Sequence, residues 1–473
     1  MNRIASTLLL VMSLFVLSGH ASQSTDMKKE QTAQSRYLTA IDGYTYAFPY
    51  VYMELLRFKM TNIYESDSVP YAPLNQFFHL RHLLDHQWQR GGMPNNDTLY
   101  STAWVDVSKE PIILSHPDMP DNRYFTFELA GHDSDNYDYV GMRTTGSKAG
   151  NFAIIGPNWQ GELPEGVTAL SPAQTQSVFL VGRTLVSGAD DVKKVIALQD
   201  QYRLTPLSQW GNPNYTPTSL KAPKPAATAL KPATNPLGHW QTIVDVIGRS
   251  SERKNMAHMR SMLASVGIKP GVKVSELDDE TKAMLSKAAV DAFAKLKHVF
   301  KLMGTESNNW VYPSPVVGRA GKYGAYLLRA SAQSLAGIVA NDPEEAVYLI
   351  GVKDSQGAPL SGSETYQIYF SKDNLPPVNA FWSVTAYTKD YNFITTEHSK
   401  YSVGDRTPEL KYDVTGGLTL YLQPTPPKSI NKRANWLPTQ AGQDFQMLIR
   451  AYLPKDEVIQ QSWVPPAVEK TSK

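Results

Sequence analysis

The sequence predicts an α+β multidomain chain: an antiparallel β-sandwich, a helical middle segment and a C-terminal jelly-roll-like β-sandwich. Three observations carry this. Short β-rich runs separated by turn clusters fill the stretch from Thr98 to Val186. A long amphipathic stripe runs from Leu285 to Met303. After Asn341-Asp342-Pro343 the period-two runs resume and continue to Tyr452. The length of 473 residues allows roughly three structural units at about 150 residues each.

The N-terminus reads as an address. Arg3 precedes the apolar run Leu8 to Leu17, which is too short to cross a bilayer, and Gly19-His20-Ala21 offers the small residues a signal peptidase selects. Residues 1–21 are therefore expected to be a cleaved signal, leaving a periplasmic or secreted protein with no membrane span. His20 stands where a lipoprotein signal needs cysteine.

Residues 36–204 form a helical lead-in followed by the first sandwich. Leu38, Ile41, Tyr44, Val51, Leu55 and Phe58 recur at helical spacing, with an interruption expected at Pro49. A second helix is expected over Leu74 to Gln87. Strands are expected at Thr98–Val107, Ile112–Ser115, Tyr124–Leu129, Tyr137–Arg143, Phe152–Ile155 and Val178–Val186, then a helix over Ala189–Tyr202. Residues 205–238 are proline-rich, a linker or an arm lying on the surface. Residues 239–341 read as helical and residues 342–468 as the C-terminal domain, with strands at Ala346–Val352, Thr365–Phe370, Ala380–Tyr387, Leu418–Leu422 and Phe445–Tyr452.

Composition removes several functions. With 46 Lys+Arg against 44 Asp+Glu the net charge is +2, which does not suit nucleic-acid binding. Cysteine is absent, which removes disulfides, thiolate nucleophiles and iron–sulfur ligation. The motifs G-x-S-x-G, H-E-x-x-H, G-x-x-x-x-G-K-[ST] and G-x-G-x-x-G are also missing. Oligomeric state, cofactor and catalytic residues stay open.

Four polar groups merit weighing. His79, His82 and His86 would share one face of the expected second helix, but three ligands strung over about 10 Å of helix axis converge poorly on one ion. Asp133 and Asp135 could share a hard cation, yet a solvated turn explains them more simply. No metal is therefore assigned. Asn95, Asn96 and Asp97, followed by Tyr100, join a helix to a strand, where binding groups concentrate. Arg143 adds a planar donor fork suited to an anion. Trp382 reads first as sandwich core and second as a ligand platform.

Motifs along the chain resemble a known family. Pro94-Asn95-Asn96-Asp97-Thr98-Leu99-Tyr100-Ser101, Tyr139-Val140-Gly141-Met142-Arg143-Thr144-Thr145-Gly146 and Ile155-Gly156-Pro157-Asn158-Trp159 are similar to one half of a bacterial two-domain family. Leu375-Pro376-Pro377-Val378-Asn379-Ala380-Phe381-Trp382-Ser383, Asn435-Trp436-Leu437-Pro438 and Trp463-Val464-Pro465-Pro466 are similar to the other. The two halves are the domains of unknown function twelve fifty-four and twelve fourteen. The resemblance implies a β-sandwich, a helical segment and a C-terminal jelly roll, and no activity. The stretch Glu397-His398-Ser399-Lys400-Tyr401 departs from the family, where Asn and Arg are expected in place of Glu397 and Lys400.

Two functions remain from the residues. One is an exported protein that binds a small polar or anionic ligand between its two β domains. The other is a hydrolase or lyase on a carbohydrate-like or carboxylated substrate, working by carboxylate or histidine acid–base chemistry.

Overall fold

The computed structural model describes residues 4–250, 257–300, 303–335, 339–396 and 398–471, with side chains from Glu30 onward except Phe300. Residues 1–3 of the expected signal, and Glu397, lie outside the described residues.

The first sandwich is built from nine strands: β1 (Phe78–His79), β2 (Thr98–Asp106), β3 (Ile112–His116), β4 (Phe125–Gly131), β5 (Asn136–Gly141), β6 (Gly150–Ile154), β7 (Thr168–Ala169), β8 (Ser177–Leu185) and β9 (Arg203–Pro206). One sheet has the order β1-β2-β8-β4-β5 and the other β7-β6-β3-β9. Their facing sides close a core of Val105, Phe127, Leu129, Leu180, Leu114 and Ile154, contributed by both sheets. Strand alternation sends the neighbouring residues Tyr100, Thr102, Trp104, Glu128 and Arg183 to the opposite, outer face of the five-stranded sheet.

The second sandwich holds β10 (Thr305–Ser307), β11 (Trp310–Tyr312), β12 (Ala346–Gly351), β13 (Thr365–Phe370), β14 (Val378–Thr388), β15 (Ser402–Gly404), β16 (Leu418–Gln423), β17 (Trp436–Pro438), β18 (Phe445–Pro454) and β19 (Glu469–Thr471). A six-stranded sheet, β10-β11-β12-β18-β14-β15, faces a four-stranded one, β17-β16-β13-β19. Ile368, Leu420, Val384 and Ile449 interlock between them. Residues 305–312, expected inside the helical segment, pair along the edge of this sheet instead.

The helices are α1 (Ile4–Asn62), α2 (Val192–Gln199), α3 (Pro236–Gly248), α4 (Ala257–Ser265), α5 (Asp279–Phe300), α6 (Tyr326–Leu335), α7 (Ile430–Arg433) and α8 (Asp456–Ile459). The α5 stripe packs as expected: Leu285, Ala289, Ala292 and Leu296 are fully buried against Tyr44, Phe48 and Trp240. Asp278 accepts the Thr281 backbone N–H at 2.8 Å and so satisfies a free donor of the first turn of α5.

Two helix expectations are corrected. α1 runs through Pro49 without a break. The ring removes one backbone donor, yet Tyr46, Ala47, Phe48, Tyr50 and Val51 around it are all buried, so packing outweighs the local cost. The second correction is larger: Leu74–Gln87 is not a helix but an extended segment, whose Leu80 N–H donates to Tyr100 O at 2.9 Å along the edge of β2. Its apolar residues divide among four clusters: Leu74 beside Met53 and Met60, Phe77 on the first sandwich core, Phe78, Leu80 and Leu84 on the second sandwich, and Leu83 against Val186 and Val195. Helical spacing here is a coincidence of serving several sides.

The proline-rich stretch is an arm lying on the surface of α1. Leu220 O accepts the Leu74 N–H at 2.8 Å, and the Ala222 N–H donates to Thr61 Oγ1 at 3.1 Å. No helix among the described residues is long and apolar enough to cross a membrane.

Candidate functional site

The outer face of the five-stranded sheet is where α1, the segment before β12 and the second sandwich converge. Cross-strand register lays two rows on it: Tyr100, Arg183 and Thr126, then Thr102, Val181 and Glu128. Tyr100 touches both neighbouring apolar clusters. One contains Tyr52 and Leu56 of α1, and the other Tyr348 and Ile350 of β12. Tyr52, Leu56, Tyr100 and Tyr348 are half-buried where these units pack together.

The buried layer beneath these rings is charged. Arg183 Nη1 donates to Glu128 Oε2 at 2.6 Å and to Asn341 Oδ1 at 3.0 Å, and the Asn341 amide donates to Tyr348 Oη at 2.6 Å. The Arg183 guanidinium lies 5.6 Å from the Tyr100 ring centre. Burial alone would lower the pKa of Arg183, but Glu128, with Tyr348 and Tyr100, drives it upward. Burial pushes Glu128 in the opposite sense, up from the usual carboxylate range, against the pull of Arg183. Three polar atoms in this patch make no hydrogen bond within the chain: Thr102 Oγ1, Thr126 Oγ1 and Arg183 Nε. Asn136 hydrogen-bonds the Glu128 carboxylate, and its amide also reaches Tyr139 Oη at 2.9 Å and Ala340 O at 2.8 Å.

Beside this layer sits a cluster of carboxylates and arginines. Asp342 is pushed up to about 7, chiefly by burial; Arg319 opposes the shift, while Glu128 and Glu344 add to it. Arg143 Nε donates to Glu345 Oε2 at 2.8 Å, and Tyr124 Oη donates to the other oxygen of Glu345 at 2.7 Å.

The residues expected to bind a ligand fall around this junction. Asn95 donates to Tyr452 Oη at 2.8 Å and accepts the Asp97 N–H at 2.6 Å. Asn96 donates to Leu84 O at 2.6 Å. Asp97 accepts from Ser383 Oγ at 2.6 Å and from Arg406 Nη2 at 2.9 Å, tying the two sandwiches together. Tyr100 is half-buried at this junction, and Arg143 pairs with Glu345 beside it. Trp382 points to the other side of β14, inside the second sandwich beside Phe370. Lys400 donates to Arg433 O and Ala434 O at the end of α7.

The histidines do not share a helix face. His79 contacts Ser101 Oγ at 2.8 Å, His82 Ser68 Oγ at 3.1 Å and His86 Tyr401 Oη at 2.6 Å. The expected solvated turn at Asp133 and Asp135 is also corrected. Both are buried and lie 3.5 Å and 3.9 Å from Nη1 of Arg329, itself fully buried, because a guanidinium taken out of water requires carboxylate partners. Among the described residues no group of three or more His, Cys, Asp or Glu is placed to hold a metal ion.

Sequence reasoning missed Glu128, Arg183, Asn341 and Tyr348. A signal was present: Glu128 and Arg183 are single charges inside otherwise apolar strand runs, where an unpaired charge is costly.

Comparison with known proteins agrees with the fold. Residues 74–206 match the family described as "Protein of unknown function (DUF1254)", and residues 345–456 match "Protein of unknown function (DUF1214)". The chain is similar to the crystal structure of the VPA0106 protein from Vibrio parahaemolyticus, at 24% identity and a TM-score of 0.72, over 92% of this chain and 100% of that one. An uncharacterised protein from Burkholderia cenocepacia aligns at 12% identity and a TM-score of 0.43, over 93% of this chain and 96% of that one. No curated protein matches the chain.

Proposed function

Since the chain belongs to the family that pairs these two domains of unknown function, we propose that it is an exported protein binding a small polar ligand between its two β domains. The observation that carries this is the set of buried polar atoms without a partner, Thr102 Oγ1, Thr126 Oγ1 and Arg183 Nε, beside the half-buried rings of Tyr100 and Tyr348. Buried polar groups are almost always hydrogen-bonded, so a patch of unmet ones beside aromatic rings calls for a polar guest. Export is supported by the apolar run after Arg3 and the Gly19-His20-Ala21 site.

Native mass spectrometry of the full chain purified from its own cells tests this. A retained small molecule, released by Arg183→Met, is the expected result. A spectrum of the bare polypeptide, unchanged after incubation with a cell metabolite extract, contradicts it.

One observation favours a second reading, an acid–base hydrolase or lyase. Asp342, pushed up to about 7, would exchange a proton near neutral pH in sight of Glu128. Turnover of a carbohydrate-like or carboxylated substrate that follows one ionisation near pH 7, and disappears in Asp342→Asn, would establish the enzyme. Binding without turnover in both forms would refute it.

A further inference from the structure

We infer that the C-terminal end of α1, with the proline-rich arm bound beside it, docks on an anionic lipid surface. Ile63, Tyr64 and Leu220 enter the headgroup layer, while Lys221 and Lys224 meet the lipid phosphates. The export proposed above would bring the chain beside such a surface, and no ligand at the junction of the sandwiches is required.

The arm is anchored so that these side chains stay outside. Leu220 O accepts the Leu74 N–H at 2.8 Å, the Ala222 N–H donates to Thr61 Oγ1 at 3.1 Å, and Asn62 Nδ2 donates to Ala222 O at 2.9 Å. Ala222 and Ala227 are buried, and the Ala227 N–H donates to Thr242 Oγ1 at 2.8 Å. Pro217, Pro223 and Pro225 restrict the backbone around these anchors. Leu220, Lys221, Pro223 and Lys224 are left exposed.

This surface combines exposed apolar side chains with uncompensated positive charge. Ile63 is 43% exposed, Tyr64 61% and Leu220 50%, and all three stand where α1 meets the arm. Residues 205–238 contain Lys221, Lys224 and Lys231 but neither Asp nor Glu, and these lysines form no ion pair among the described residues. The carboxylates nearby are already engaged. Glu65 meets Lys59 at 2.8 Å and Arg90 at 2.5 Å, Asp67 accepts the Tyr64 hydroxyl at 2.6 Å, and Glu110 accepts from Ser208 at the start of the arm.

An anionic bilayer matches both features. Its phosphates attract lysines that lack a partner, and its headgroup boundary takes up single apolar side chains without a shaped pocket. Tyrosine suits that boundary because its ring is apolar and its hydroxyl stays wet. A protein partner would instead call for anchors packed together at the centre of a patch. Here they project separately from a helix end and an extended arm.

Co-sedimentation of the full chain, purified from its own cells, with lipid vesicles tests this. One set is phosphatidylcholine alone and the other carries about one quarter phosphatidylglycerol. The chain should sediment with the anionic vesicles at about 50 mM salt and be largely released at about 500 mM. Lys221→Gln/Lys224→Gln should bind them about thirtyfold more weakly, and Leu220→Ser about tenfold more weakly. Both variants change only exposed positions, so their melting should match the wild type. They also share residues 1–21 with it, so the affinity they lose reports this surface alone. Wild-type affinity in both variants overturns the inference, and so does equal binding to the two vesicle types. Absence of vesicle binding overturns it as well; self-association abolished by Leu220→Ser in ultracentrifugation would then assign the surface to a second copy of the chain.

Discussion

Arg183 and Glu128 face each other across neighbouring strands at 2.6 Å, one charge pair sealed on the side of the sheet that meets the second sandwich. Removing one partner strands the other. Arg183→Met is expected to cost about 3–5 kcal/mol, and the double variant Arg183→Met/Glu128→Leu to recover most of that loss. Denaturant midpoints check this. A double variant as unstable as the single one would show that the pair is not an isolated ionic unit.

Asp97 links the sandwiches through Ser383 and Arg406. Asp97→Ala leaves a buried hydroxyl and a guanidinium without their acceptor, with an expected loss of about 2–3 kcal/mol. Separate melting of the two sandwiches in calorimetry should accompany it. A single unshifted transition would remove Asp97 from the account of how the halves are joined.

Asp342 gives a pH signature. Its carboxyl titrates at about 7 in the fold against 3.8 for an ordinary aspartate, so the folded protein holds the proton more tightly than the unfolded chain. Ionisation therefore costs stability above pH 7, and this cost fades as pH falls through 7 toward 4. The stability of Asp342→Asn relative to wild type should be greatest above pH 7 and decline over that window. A pH-independent difference would contradict the assignment.

Glu54 behaves in the opposite sense. It is held at about 2 despite burial, by the His132 hydrogen bond and charge and by Arg249 and Arg57. A carboxyl lowered from 4.5 stabilises the fold above pH 4.5, and that contribution is lost as pH falls toward 2. Glu54→Gln should be less stable than wild type at pH 6, with the gap closing by pH 2–3 in acid titrations followed by near-UV circular dichroism.

Much of the architecture could be read from the chain because period and burial agree. Thr365–Phe370 alternates strictly, and the structure forms that strand with those ends. The α5 stripe is one-sided and packs on one core. Leu74–Gln87 misled because its apolar side chains serve four different clusters along an extended segment. The junction was harder to see. Asn95, Asp97 and Arg143 pointed to it, but its charged layer is assembled from strands and loops far apart in sequence. Only the register of β2, β8 and β4 brings Tyr100, Arg183 and Thr126 into one row. Asn341-Asp342-Pro343 looked like a helix stop; its side chains instead brace Arg183 and Arg319.

Export makes a separate prediction. Intact mass and N-terminal sequencing of the protein from its native cells should give a chain beginning at Ser22 in the periplasmic or secreted fraction. A full-length chain in the cytosol would refute that placement.

The most direct measurement for the junction is a high-resolution crystal structure of protein purified from its native envelope without refolding. Continuous density for a small molecule over Arg183 and Glu128, within hydrogen-bond distance of Thr102 Oγ1 and Thr126 Oγ1, is the predicted result. A junction holding only ordered water, in crystals grown with and without a metabolite extract, would contradict the claim that it is a binding site.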